Sequence, residues 1–170
     1  MKALFITSEE LKKKSIIGGN VDADKFVQFI EVAQDTHIQN YLGTKLYVKL
    51  QSLIINNTIG DAENSNYKLL LEDYVASMLV WYAQADYYAF APFQVSNGGI
   101  FKHRSENSDS PDIKEVHMLV SRCKDTAEFY TRRFQDYMCH NDELFPEYSL
   151  IEDEEGMYPD KQNRFSDWVL

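Results

Sequence analysis

The groups best able to do chemistry in this sequence are four histidines, two cysteines, a run of four acids and one isolated aspartate. His117 and Cys123 lie six residues apart in a stretch with helical spacing, so they occupy different faces of a helix. Cys139 and His140 are adjacent and cannot both face one ion from a helix, and no zinc-ligand spacing emerges around them or His103. The run Glu152-Asp153-Glu154-Glu155 could attract calcium, but it lacks the alternating oxygen ligands of a calcium loop and reads as a solvated charge run. Gly98-Gly99 is a turn signal rather than a phosphate-binding loop, and there is no nucleophile elbow. Asp86 is the one charged residue between Tyr74 and Phe101. Burial there would raise its pKa, the mark of a catalytic acid; the plainer reading is a helix edge facing solvent, or a hydrogen bond to Tyr or Gln. His37 follows Ala33 by four residues on an apolar helical face and reads as a satisfied core histidine. The expectation is therefore a protein that is not an enzyme, with no cofactor and no metal.

Composition leads the same way. The 170 residues suit one domain with a real core, and the aromatic content of 14% favours extensive packing. The net charge is −10 and unevenly spread: residues 141–170 hold nine acidic and two basic side chains, while residues 1–140 are nearly balanced. A nucleic-acid reader needs a basic face to release counterions, so recognition of DNA or RNA is disfavoured. No apolar run is long enough for a membrane helix, and the opening residues do not resemble a signal peptide. Cys123 and Cys139 sit about 24 Å apart along one expected helix, so they cannot bridge within it and read as reduced core thiols.

The elements that must position these groups are mainly helical. Thr7-Ser8-Glu9-Glu10 is a capping box opening a short helix to about Lys14. Asp22 caps a second helix to about Tyr41, with Phe26, Phe29, Ile30 and Ala33 on its apolar face, and Gly43 closes it. Thr44 starts a third, burying Leu46, Leu50, Leu53 and Ile54. Ser65 caps a fourth, which runs to about Ala91 and is apolar nearly all round. Pro92 stops it, and residues 93–104 read as a β-hairpin insertion turning at Asn97-Gly98. Ser110-Pro111 opens a fifth helix whose stripe, Ile113, Val116, Val120, Cys123, Ala127, Tyr130, Phe134 and Tyr137, alternates spacings of three and four. That stripe is expected to bind the fifth helix to the fourth within one subunit. The fold class is thus mainly α: a bundle of about five helices over residues 1–140, with the hairpin inserted, followed by an extended, acidic, aromatic C-terminal arm over 141–170. The arm alternates charge with apolar anchors and is expected to lie across a neighbouring surface more than its own.

The layout of the first quarter carries a resemblance. Leu4-Phe5-Ile6-Thr7-Ser8-Glu9-Glu10-Leu11-Lys12, then Asp22-Ala23-Asp24-Lys25-Phe26, Ile30-Glu31-Val32-Ala33-Gln34 and Ile38-Gln39-Asn40-Tyr41-Leu42-Gly43, resembles the head–tail connector (adaptor) proteins of tailed phages. The whole chain looks like connector relatives in gut phages of the crAss-like group. The resemblance implies a virion protein, made in the host cytoplasm, that forms a dodecameric ring at the head–tail junction. Its partners would be the portal, other connector or tail proteins and further copies of itself, with DNA passing through the channel unread and no membrane contact. An acidic channel wall would let the genome slide. The hairpin and the acidic arm depart from short adaptors. The family brings no catalytic residues, so the candidates are contact residues: Phe93, Val95, Ile100, Phe101, Lys102 and Arg104 of the hairpin, and Phe145, Tyr148, Tyr158, Phe165, Trp168 and Leu170 of the arm. Lys102-His103-Arg104 is the one compact basic cluster, suited to a solvated strand end or to an acidic partner. The alternative function is a helical assembly chaperone or regulatory binding module with an acidic tail.

Overall fold

The computed structural model describes residues 2–15, 24–96, 99–102, 112–149 and 156–161. Its first helix, α1 (Ser8–Lys14), begins at the expected capping box: the Thr7 hydroxyl accepts from Glu10 N–H while the Glu10 carboxylate accepts from Thr7 N–H. Ahead of it, the extended Lys2–Thr7 segment is gripped by two glutamines. Gln51 exchanges both its amide groups with the backbone of Ala3 (2.9 Å each), and Gln34 accepts from Phe5 N–H (2.8 Å) and donates to Ala3 C=O (3.0 Å). This satisfies backbone groups that burial of Phe5 and Ile6 would otherwise orphan.

α2 (Asp24–Ala33) does not run straight on to Tyr41. It passes into a π-turn, Gln34–Ile38, before α3 (Gln39–Ile55). The wider turn brings Gln34 and Ile38 fully into the core while leaving His37 half-buried. Asp22, the expected cap, lies outside the described residues. Gly43 breaks α3 as foreseen, at φ 72°. The fourth helix is likewise composite: a 3₁₀ turn Ala62–Asn64, α4 (Ser65–Leu69), a second π-turn Leu70–Val75 and α5 (Ala76–Phe90). Ser65 is its first residue rather than its cap. α6 (Ile113–Asn141) starts at Asp112, whose carboxylate and Glu115 form a second capping box; Ser110 and Pro111, the expected start, lie outside the described residues.

α6 packs antiparallel on α5. Tyr74 stacks on Tyr137 at 4.3 Å, and the Tyr82 hydroxyl meets that of Thr131 at 3.2 Å. α2 packs antiparallel on the other side of α5, through Phe26 against Tyr87 (4.7 Å) and His37 against Tyr82 (4.1 Å). The apolar face of α5 is therefore consumed from both sides, which is why it reads as apolar nearly all round.

Between α5 and α6 the backbone of β1 (Phe93–Ser96) pairs antiparallel with β2 (Gly99–Lys102), Phe93 opposite Lys102. The ladder is four residues long and takes no third strand among the described residues. A ladder of that length is marginal on its own. The fold class is accordingly mainly helical, and the turn expected at Asn97-Gly98 lies outside the described residues.

The larger correction concerns the arm. A 3₁₀ turn, Asp142–Leu144, and α7 (Pro146–Ser149) fold back at its start. They bury Phe145 completely and Tyr148 nearly so, against Tyr67, Phe134 and Tyr137. Two aromatic rings in the core outweigh the solvation of the acids around them. Residues up to 149 thus belong to the body, not to an arm that starts at 141.

Candidate functional site

Three features stand out on the surface of the bundle. The first is a strap. Residues 156–161 dock on the subunit's own α3. Met157 N–H donates to the Thr44 hydroxyl (2.8 Å), Thr44 N–H donates to Met157 C=O (2.9 Å), and Asp160 N–H donates to Asn40 C=O (2.8 Å). Pro159 sits over Gly43 so closely that a Cβ there would come within 2.8 Å of its ring. Gln135 of α6 donates to Asp160 C=O (3.0 Å), and the Lys161 ammonium lies 4.5 Å from the Tyr148 ring centre. Gly43 therefore does two jobs, adopting a backbone conformation that disfavours a side chain and leaving room for the strap.

The second is a polar cluster over α5. The His37 ring stacks flat on Tyr82, its Nε2 is 3.6 Å from an Asp86 carboxylate oxygen, and the two side chains are about one-third exposed. His37 is thus a half-buried partner of Asp86 rather than a core histidine. Tyr41, beside Tyr82, is pushed well above the usual phenol range by burial and by its hydrogen bond to that residue. Nearby, Tyr88 is held neutral by burial, with its pKa at about 12, and Gln84 is fully buried with its amide donated to Val80 C=O. The cluster brings an imidazole and a carboxylate together beside a tyrosine ring. No group of three or more His, Cys, Asp or Glu there could hold a metal ion.

The third is an apolar groove of about 330 Å³ where α6 overhangs the end of α5. Val116, Val120 and Ile113 of α6 face Ala89, Pro92 and Phe93 across it, and His117 and Lys124 form a basic edge. Ile113 is 52% and Phe93 39% exposed. The stripe on α6 thus splits. Cys123, Ala127 and Phe134 are buried against the bundle and Tyr130 and Tyr137 are half-buried, whereas its first three rungs pass beyond α5 and stay open.

Of the candidate contact residues, Phe93 lines this groove and Tyr158 is 61% exposed on the strap. Phe145 and Tyr148 are internal and offer no surface to a partner. Val95, Ile100, Phe101 and Lys102 belong to the two-stranded ladder, and only its backbone is described. Arg104, Phe165, Trp168 and Leu170 lie outside the described residues. Ile113, Val116 and Val120 belong to the stripe expected to pack on the preceding helix, and they line a groove instead. The one available signal was that Pro92 halts α5 while the α6 stripe continues. Cys123 is buried, which raises its thiol pKa, but Cys139 is exposed and is no core thiol.

Fold and surface together define a helical bundle protein with a self-docked strap and an open apolar groove. More particularly, a family of unknown function, DUF6712, matches residues 38–153, more than half of the sequence, and the chain belongs to that family. No curated protein and no solved structure matches the chain. No helix among the described residues is long and apolar enough to cross a membrane.

Proposed function

We propose that the protein is a structural subunit of the head–tail connector of a tailed phage, built into a ring through which DNA passes. The observation that carries this reading is the order of signals in residues 4–43. These are a capped short helix after an apolar triplet, an acidic helix start, an amphipathic helix, and a tyrosine-leucine-glycine stop. Their structural roles fit a subunit that presents a rigid face. Leu11 and Phe26 are buried, the Lys2–Thr7 segment is clamped to the body, and Gly43 seats the strap. Apolar side chains that a monomer would hide stand exposed where α5 ends and α6 begins, among them Phe90 at 63% and Met118 at 66%. Surfaces of this kind suit contacts between copies and with the portal. Under this reading no residue is catalytic.

Negative-stain imaging of the purified protein, alone and mixed with the portal protein of the same genome, tests the proposal. A ring or a portal-bound collar is expected. A monomer that leaves the portal bare at micromolar concentration would sink it.

A further inference from the structure

α6 has a second regular face, turned away from α5. Met118, Arg122, Asp125, Phe129, Arg132 and Asp136 recur there at alternating spacings of four and three. All six are exposed, Met118 at 66% and Phe129 at 56%. At about 100° per residue they lie within about 40° of one line, opposite the buried Cys123, Ala127, Thr131, Phe134 and Met138. The line is about 27 Å long. Within the helix, Phe129 leans on Tyr130 with ring centres 5.4 Å apart, and Arg132 lies 3.7 Å from Glu128. Those contacts leave Phe129 more than half exposed among charged neighbours.

We infer that α6 pairs antiparallel with α6 of a second copy, about a two-fold axis at Phe129. The order of the charges carries this. Arg122 and Asp136 stand seven residues before and after Phe129, so an antiparallel copy sets each level with the other. Asp125 stands four residues before it and Arg132 three after, so these two also face within one residue's rise. The axis repeats both ion pairs on its other side, and the two Phe129 rings meet at its centre. Other arrangements are disfavoured by the same charges. A parallel pair sets Arg on Arg and Asp on Asp. Sliding one copy by about a turn brings Arg122 level with Arg132, or Asp125 level with Asp136. An aromatic centre within a charged rim is the usual anatomy of a small interface. One helix pair of this length falls at the low end of stable contacts, so pairing is expected at micromolar rather than nanomolar concentration. The inference does not rest on the connector reading. An isologous pair closes on itself, whether or not other faces build a ring.

Sedimentation equilibrium of the full-length protein at tens of micromolar should give two copies, or a multiple of two where other faces add contacts. Arg122→Glu and Asp136→Arg each place like charges opposite one another on both sides of the axis, and each should weaken the pair about ten-fold or more. Mixed in equal amounts, the two variants should recover pairing close to that of the unaltered protein, because every charge then meets its opposite. Far-UV circular dichroism checks that the helices persist in both. A monomeric unaltered protein overturns the proposal. So does an assembly that neither variant weakens, or a mixture that recovers nothing. A ring that survives both variants would leave the connector reading standing and remove this one, whereas a pair that forms and leaves the portal bare would do the reverse.

Discussion

Gln34 is the residue on which the start of the chain depends. It is fully buried, accepts from Phe5 N–H and donates to both Ala3 C=O and the Tyr47 hydroxyl. Leucine would keep its volume and orphan the Phe5 amide, so Gln34→Leu should cost about 2 kcal/mol in urea unfolding. Gln51 would still hold Ala3, which keeps the loss from being larger. The tyrosines set the alkaline limit. Burial raises the Tyr148 and Tyr88 phenols to about 12, and burial together with the Glu147 hydrogen bond raises Tyr67 further. Their folded-state pKa values lie above the unfolded value near 10. The stability they contribute is therefore complete below about pH 10 and is lost as pH rises through about 12. Tyrosinate absorbance should appear cooperatively with loss of helical ellipticity in that window. Independent titration near pH 10 would show that these phenols are not held by the fold.

At the scale of elements, the two π-turns and Gly43 decide which faces meet. A regular helix through residues 34–38 would rotate everything after it by about one residue, 100°, and would carry Ile38 and Leu42 off the buried face of Phe26, Ile30 and Ala33. Gly43 then breaks the register again and admits Pro159. Gly43→Ala should destabilise by about 1–2 kcal/mol through the left-handed backbone alone. The clash with Pro159 should also release the strap. Hydrogen exchange at the Thr44 and Asp160 amides is the readout, with acceleration expected there while the α5–α6 interface stays protected. Unchanged exchange at both amides would mean that the strap does not need the glycine.

At the scale of the molecule, the boundary between body and appendage falls near Ser149 rather than Asn141. Removing residues 142–170 takes Phe145 and Tyr148 from the core, a loss of about 3–5 kcal/mol for each large ring. That is comparable with the whole stability of an ordinary domain, about 5–15 kcal/mol. This truncation should unfold the protein, whereas removing residues 150–170 should leave one cooperative thermal transition. The second truncation also separates the two functional readings. A ring subunit should still form its collar, while a chaperone or regulatory module that works through its acidic tail should lose its partner and keep its oligomeric state.

Local signals in the sequence were enough to determine the helical class, the Thr7 capping box, the break at Gly43 and the buried faces of α3 and α5. Each depends on spacing and side-chain type within a few residues, and so can be read without a partner. Tertiary structure alone decided the rest. Phe145 and Tyr148 look like exposed anchors in an acidic segment until Tyr67 and Phe134 supply a site for them. The α6 stripe looks uniform until α5 ends beneath it and leaves three rungs open. His37 and Asp86, forty-nine residues apart, meet because a π-turn rotates one helix against another. In each case the physical reason is the same: burial depends on which surface arrives from a distant part of the chain, and no local pattern carries that information.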